Sequence, residues 1–286
     1  MILLSLITDP ANFINDRGLS YGHGVFETLL LSDSKLPLQH FHIKRLIAGA
    51  LAIGIPVDEA QLNHFLETIL EEAFENKVFS GVVKILITAG ESDCGYRAPK
   101  VISPNFFYKV TSVTNSKRSA KKVGVNLTIC NHRLSKNPKL AGIKHLNRLD
   151  QVIGSNELNG TDFYDGIMLD DDGHIIETTC ANIFIKSKTI GWITPELSSS
   201  GVAGVLREIL IEDIFNRIKT NVSVRAIKLE SLTKSDEIFI CNSIRGIIPI
   251  VEIENLGKTI FRSSSIGINT QDIEKNLGET YPCFLK

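Results

Sequence analysis

The sequence predicts an α+β protein in two halves, on three observations. Its 286 residues are too many for one typical core and comfortable for two domains. Strand signals and helical periodicities occur together in both halves of the chain. Between the halves runs Thr111 to Lys122 (TSVTNSKRSAKK), polar, rich in Ser and Lys and without apolar periodicity, which reads as a linker. The expected division is a small amino-terminal α/β domain over 1–112, a linker over 113–122 and a larger domain over 123–286.

The opening MILLSLITDP is apolar but short, lacks a basic leader and reaches Asp9-Pro10 quickly. That favours a first β-strand over a signal peptide or a membrane span. Phe26 to Leu31 (FETLLL) reads as a strand after the Gly-rich turn Tyr21-Gly22-His23-Gly24. From about His40, the residues Phe41, Ile43, Leu46, Ile47 and Leu51 recur at helical spacing. A second helix is expected between Asp58 and Asn76, with Asp58 as its cap. Val82 to Thr88 and Asn105 to Val110 then read as strands.

In the second half, strand signals fall at Val123 to Cys130, Asp165 to Leu169, Asn182 to Ile185, Val222 to Ala226 and Glu237 to Cys241. Helical patterns lie near His145 to Glu157 and Val205 to Ile218. The Asp-Asp-Gly of Asp170 to Gly173 marks a hairpin turn between Asp165-Gly166-Ile167-Met168-Leu169 and His174 to Glu177. No internal repeat is visible.

Composition narrows the function classes. Hydrophobic residues at 43% and charged residues at 22% describe a folded soluble protein. A formal net charge of −1 draws the whole molecule toward neither nucleic acid nor an anionic membrane, so local groups must hold any anionic ligand. The basic run at 117–122 stands alone and reads as a solvated connection. The cysteines Cys94, Cys130, Cys180, Cys241 and Cys283 are scattered and odd in number, without a C-x-x-C pair, which suits a reducing cytoplasm. No nucleotide-binding glycine loop, hydrolase elbow or H-E-x-x-H occurs. His40-x-His42 has no Cys or carboxylate partner at ligand spacing, so no metal site is expected.

Chemistry then has to come from polar residues in short, unusual contexts. In Asn137 to Arg148 (NPKLAGIKHLNR) a Pro/Gly-bearing loop leads toward a helical pattern, with Lys144 at the expected junction. A lysine held there, with its pKa lowered by burial and neighbouring cations, offers a neutral amine able to form a Schiff base. Taken alone, a solvated lysine is the commoner outcome. Glu177 follows Ile175-Ile176 and precedes Thr178-Thr179, where a carboxylate either faces inward or ends a surface strand. Ser198-Ser199-Ser200-Gly201-Val202-Ala203-Gly204 leads into a helical pattern bearing Arg207. Free N–H groups at a helix start suit an anion, although a plain capped helix explains the run as well. Cys241-Asn242-Ser243 closes a strand and puts a hydroxyl near a turn.

Together these pieces resemble a known family. The run NPKLAGIKHLNRLDQ (Asn137 to Gln151) is similar to the lysine segment of 4-amino-4-deoxychorismate lyases, within the fold-type IV (class IV aminotransferase) pyridoxal-phosphate (PLP) enzymes. NDRGLSYGHGVFET (Asn15 to Thr28) resembles the family's opening motif, and His42-Ile43-Lys44-Arg45-Leu46 its arginine helix. Glu177 to Phe184, Gly201 to Arg207 and Ile240 to Ser243 resemble later motifs in the expected order, covering about residues 12 to 250.

The resemblance implies a D-amino-acid-aminotransferase-like fold, with a small α/β domain and a larger barrel-like one, working as a homodimer around PLP. It implies that Lys144 carries the cofactor covalently and that Glu177 pairs with the ring nitrogen. Arg45, the backbone of Val202 and Ala203, and Ser243 would hold the phosphate. Thr28 and Lys144 are the implied proton-transfer groups, with His23, Phe26, Arg97 and Asn242 as candidates for contacting substrate. The implied reaction converts 4-amino-4-deoxychorismate to 4-aminobenzoate and pyruvate, a step of folate biosynthesis. Ala89 and Cys94 depart from the lyase pattern, standing where arginines are expected. Each lost guanidinium hydrogen bond is worth roughly 1.5–3 kcal/mol to a carboxylate. Arg97 and Arg245 are candidate replacements, and a D-amino-acid or branched-chain aminotransferase is the alternative reading.

Overall fold

The computed structural model describes residues 2–6, 14–93, 95–112, 123–187 and 189–285. Asp9-Pro10, Cys94 and the expected linker at 113–122 lie outside the described residues. The chain forms two compact units, one of Met1–Thr114 with Ile143–Asn147, the other of Asn115–Gly142 with Arg148–Lys286.

In the first unit four antiparallel strands lie in the order β1-β4-β3-β2. They are β1 (Ile2–Leu6), β2 (Gly24–Leu31), β3 (Gly81–Thr88) and β4 (Asn105–Ser112). A short helix α1 (Arg17–Tyr21) precedes β2, while α2 (Gln39–Ala52) and α3 (Glu59–Glu75) follow it. The two long helices match the apolar spacing that predicted them. Asp58 caps α3 by accepting from the Gln61 N–H at 2.8 Å. Strand alternation divides the sheet into two faces. Val25, Leu29, Leu31, Val83, Ile85, Ile87, Tyr108 and Val110 form the core with Leu46, Leu62, Leu66 and Ile69 of the helices. The even-numbered residues of β2 and β3 therefore point away from the helices.

The second unit is built on nine strands in the order β10-β9-β8-β11-β12-β5-β6-β7, with β13 added beside β12. In chain order they begin with β5 (Val125–Leu134), β6 (Asp165–Asp170), β7 (Ile175–Thr178), β8 (Asn182–Ser187) and β9 (Gly191–Pro195). They continue with β10 (Val222–Arg225), β11 (Ser235–Asn242), β12 (Gly246–Asn255) and β13 (Lys258–Arg262). The pairs β12–β5, β5–β6 and β9–β10 are parallel and the others antiparallel. The Asp-Asp-Gly hairpin forms between β6 and β7, with Gly173 at φ 77°.

Both faces of the central strands are buried. On one, Ile183, Ile185, Ile238, Ile240, Ile248 and Ile250 interlock. On the other, Phe184 stacks on Phe239 at 4.9 Å and on Phe215 at 5.7 Å, with Trp192 against Phe239 at 5.1 Å. Such ring pairs add about 0.5–1.5 kcal/mol each beyond area burial. Phe215 is supplied by the predicted helix at Val205 to Ile218. That helix is α4 (Val205–Ile209), a π-helical turn (Leu210–Ile214) and a last turn, Phe215–Arg217. The chain's final long helix is α5 (Ile268–Thr280). No helix among the described residues is long and apolar enough to cross a membrane.

Two expectations need correction. The helix after the lysine segment begins at Leu149 and ends at Asn156, so Lys144 is not at its start. The reason is that Ile143–Asn147 pairs with the exposed edge of β2. The Phe26 N–H donates to the Lys144 carbonyl at 3.0 Å and the Leu146 N–H to the Gly24 carbonyl at 2.9 Å. For the same reason these five residues belong to the first unit and not to the larger second one.

Candidate active site

Edge pairing fixes the direction of Lys144. His145 bridges Val25, and the Lys144 ammonium lies 4.2 Å from the centroid of the Phe26 ring. Phe26 and Thr28 share a face of β2, since they are two residues apart. The structure thus brings Lys144, Phe26 and Thr28 together on the sheet face away from α2 and α3. Glu27, between them, points the other way.

On that helix-facing side Glu27 is fully buried and receives Arg45 through two bonds, Nε at 2.6 Å and Nη2 at 2.5 Å. His42, one helical turn earlier, contacts the same carboxylate through Nδ1 at 2.7 Å. Burial raises the Glu27 pKa, but the charges and hydrogen bonds of Arg45 and His42 outweigh it and lower the carboxyl to about 2. An ionised Glu27 only accepts, so His42 Nδ1 carries the hydrogen. The opposite nitrogen, Nε2, is buried with no hydrogen-bond partner.

The loop carrying Ala89 to Arg97 is tied to the opening motif. Arg17 is buried and donates to the carbonyls of Gly95 (2.7 Å) and Tyr96 (2.9 Å). Its Nε donates to His23 Nδ1 at 3.2 Å, leaving His23 Nε2–H to donate to the Ile53 carbonyl at 2.8 Å. Both ring nitrogens of His23 are therefore engaged by protein. Arg97 is exposed, whereas Ala89 lies in the core of the unit.

In the second unit Glu177 is 4% exposed. Its Oε2 accepts from the Val202 N–H at 2.9 Å and its Oε1 from the Gln151 side chain at 3.2 Å. Glu177 also acts electrostatically on Arg148, whose pKa is lowered chiefly by burial. Gly201, at φ 83°, leaves room for this arrangement. A Cβ there would meet Ile176 Cγ2 at 2.6 Å and approach Glu177 Oε2 to 3.4 Å. The Ala203 N–H donates to the Gly142 carbonyl at 3.0 Å. The two backbone donors expected to meet a phosphate thus have protein acceptors here. Neighbouring Ser200 has a buried hydroxyl with no partner.

Ser243 occupies the β11–β12 turn. That turn is shaped by Asn242, whose Oδ1 accepts from the N–H groups of Ile244 (3.1 Å) and Arg245 (2.8 Å). The Asn242 amide also donates to the Cys180 carbonyl at 3.3 Å. Arg245 stacks on Tyr164 at 5.3 Å and donates to its hydroxyl at 2.9 Å. Sequence reasoning missed Asp165, a buried carboxylate that accepts from the hydroxyls of Thr178 (2.7 Å) and Thr179 (2.6 Å), directly after Glu177. The adjacency of two threonines to Glu177 was its only sequence signal. Asp170, Asp172 and His174 also converge, but the Lys136 ammonium lies against both carboxylates and supplies their cation.

In the second unit the buried carboxylate of Glu177, held by fixed donors, suits the ring N–H of a heteroaromatic cofactor, and the Ser200 hydroxyl is buried nearby. In the first unit Lys144 lies beside Phe26, and the Arg45 guanidinium is held by Glu27.

The chain is 34% identical over 245 residues to the aminodeoxychorismate lyase of Vibrio harveyi, covering 83% of this chain and 85% of that protein. It is 26% identical to a putative branched-chain-amino-acid aminotransferase of Methanocaldococcus jannaschii, over 93% of this chain and 88% of the other. Its fold superposes on the crystal structure of 4-amino-4-deoxychorismate lyase from Pseudomonas aeruginosa with TM-score 0.85 and 30% identity, covering 98% of each chain. Residues 24–253 match the family described as amino-transferase class IV, and to that family, with its fold-type IV architecture, the chain belongs.

Proposed function

We propose that the protein is a PLP-dependent lyase that converts 4-amino-4-deoxychorismate to 4-aminobenzoate and pyruvate, supplying folate biosynthesis. The observation that carries this reading is the 34% identity to a named lyase over most of both chains, with the edge-paired Lys144 beside Phe26 and Thr28. When bound, PLP supplies an electron sink for the carbon bearing the substrate's amine.

This chain's residues supply the rest. Lys144 would hold the cofactor covalently, and its Nζ would take the proton from the aminated ring carbon of the substrate. The adjacent carbon–oxygen bond then breaks, the ring becomes aromatic, and the enolpyruvyl oxygen leaves. The Thr28 hydroxyl, on the same strand face as Phe26, is placed to give that oxygen its proton, and the released enol becomes pyruvate. Glu177, fixed by Val202 and Gln151, would hold the cofactor's ring nitrogen protonated. Arg45 (steadied by Glu27), Ser243 and the backbone of Val202 and Ala203 would hold the phosphate, the Val202 N–H keeping its bond to Glu177 while sharing it with the phosphate. His23, Phe26, Arg97 and Asn242 border the substrate, His23 and Asn242 by shaping their loops. A homodimer in a reducing cytoplasm completes the reading. The four described cysteines are free, and burial raises the thiols of Cys130 and Cys241 to about 12.

The alternative is a transaminase on D- or branched-chain amino acids, favoured by the core position of Ala89, where the lyase pattern has arginine, and by the archaeal relative. Purified holoenzyme given authentic substrate should release 4-aminobenzoate and pyruvate in equal amounts, and Lys144→Ala should release neither. Absence of 4-aminobenzoate together with 2-oxoacid-dependent amino transfer would exchange the first reading for the second. Borohydride reduction and peptide mapping should find the cofactor on the peptide containing Lys144.

A further inference from the structure

The imidazole of His23 is held in one form by its two neighbours. Arg17 Nε lies 3.2 Å from His23 Nδ1, and the Ile53 carbonyl lies 2.8 Å from His23 Nε2. A guanidinium only donates and a carbonyl only accepts, so Nδ1 must be the bare nitrogen and Nε2 must carry the hydrogen. Only the neutral ring satisfies both contacts. A second proton would arrive on Nδ1, facing another N–H donor and a charge of its own sign.

The two neighbours respond differently to that proton. Ile53 is the C-cap of α2, and carbonyls at a helix C-terminus favour a cation, so the protonated ring keeps its bond there. Arg17 is the partner that has to leave. Its Nη1 and Nη2 hold the carbonyls of Gly95 and Tyr96, and its guanidinium lies 5.1 Å from the centroid of the Tyr21 ring, which packs against Tyr96 at 5.3 Å. One side chain thus couples His23 to the loop that follows β3.

Among the described residues no carboxylate pairs with the His23 ring. Asp16, at the cap of α1, spends its buried carboxylate on the N–H groups of Gly18 and Leu19, the Thr88 hydroxyl and the Asn105 amide. The last turn of α2 carries no charged side chain. Thr88, Ala89 and Gly90 are uncharged, and Glu91, Asp93 and Arg97 beyond them are exposed. The segment along the β2 edge puts Leu146 and Asn147 beside Gly24 and Gly22, with His145 and Lys144 farther along, beside Val25 and Phe26.

We propose that His23 is a positioning residue whose protonation uncouples Arg17 from the loop bearing Gly95, Tyr96 and Arg97, so that this loop is held at neutral pH and loosened as pH falls. Histidine is the side chain suited to such a role, since it changes charge between about pH 5 and 8. The proposal concerns the first unit itself and stands whether the chain acts as a lyase or as a transaminase.

The test uses the full chain loaded with PLP. Nitrogen-15 NMR of the His23 ring should show the hydrogen on Nε2 at about pH 8. Hydrogen exchange of the peptide bearing Gly95 and Tyr96, corrected for the pH dependence of the chemical step, should show protection falling about fivefold or more between about pH 8 and 5.5, while β3 and β4 hold theirs. His23→Gln offers an acceptor and a donor and does not titrate in this range, so its loop should stay protected throughout. His23→Leu and Arg17→Met should expose the loop equally at both ends of the range. A wild-type loop whose protection does not change with pH would overturn the proposal, as would a His23→Gln loop that keeps the wild-type response, or a ring carrying its hydrogen on Nδ1 at about pH 8. The first and last of these are read on the unsubstituted protein, so they decide the matter even where a variant does not fold.

Discussion

Replacing Glu27 by glutamine should destabilise the first unit and erase a defined part of its acid sensitivity. The carboxyl, ordinarily near 4.5, is held at about 2 in the folded chain. A folded pKa below the unfolded one stabilises above the unfolded value and loses that stability as pH falls through the folded value. The window is therefore roughly pH 4.5 down to 2, and a shift of that size corresponds to roughly 3 kcal/mol at about 1.4 kcal/mol per unit. At neutral pH the variant removes the counter-charge of the half-buried Arg45 guanidinium, which costs on the order of 3 kcal/mol. Urea unfolding followed by circular dichroism, at pH 7 and at steps from pH 5 to 3, measures both quantities. Other carboxylates titrate in the same range, so the informative quantity is the difference between wild type and variant. That difference should shrink as pH falls. A gap that stays constant from pH 7 to 3 would refute the assignment of a depressed pKa to Glu27.

Three further outcomes follow from the same structure. Asp165→Ala removes the acceptor for the hydroxyls of Thr178 and Thr179; it should lower stability by about 3 kcal/mol and weaken PLP affinity through the turn after Glu177, measured by denaturation and cofactor titration. Gly90→Ala should destabilise severely or prevent folding, read from soluble yield and melting temperature, since a Cβ at φ 73° would meet the Ser103 carbonyl at 1.9 Å. Arg17→Met should free the backbone of Gly95 and Tyr96; tryptic cleavage after the exposed Arg97 should accelerate about tenfold or more, as local opening becomes easier, and an unchanged cleavage rate would remove Arg17 as the tie.

The helices α2 and α3 were legible because one face of each is apolar at helical spacing and because Asp58 caps from within its own segment. The last helix, α5, was not. Its start is stabilised by Glu237, on β11, which accepts from the Thr270 N–H at 2.7 Å and hydroxyl at 2.8 Å and from the Asn269 N–H at 3.2 Å. A cap supplied from a distant strand leaves no local signal. The strand β12 was hidden differently, because Pro249 argues against a central strand. Its register resolves the conflict: Pro249 faces Phe239 of β11, while pairing with β5 begins only at Ile250. The missing N–H falls before the parallel ladder starts.

The site divides along the same physical line. Lys144, Arg45 and Glu177 could be named because short runs around them resemble the motifs of the family. What each side chain meets could not be named. The lysine segment was read toward the following helix, because its local residues carry that pattern, yet the unpaired edge of β2 offered hydrogen bonds that the helix start could not match. Glu27 finds Arg45 only because α2 lies on one face of β2. Lys84 finds Thr28, Lys109 and the ring of Phe26 only because three strands pair in one register, and a slip of one residue would send Lys84 into the core.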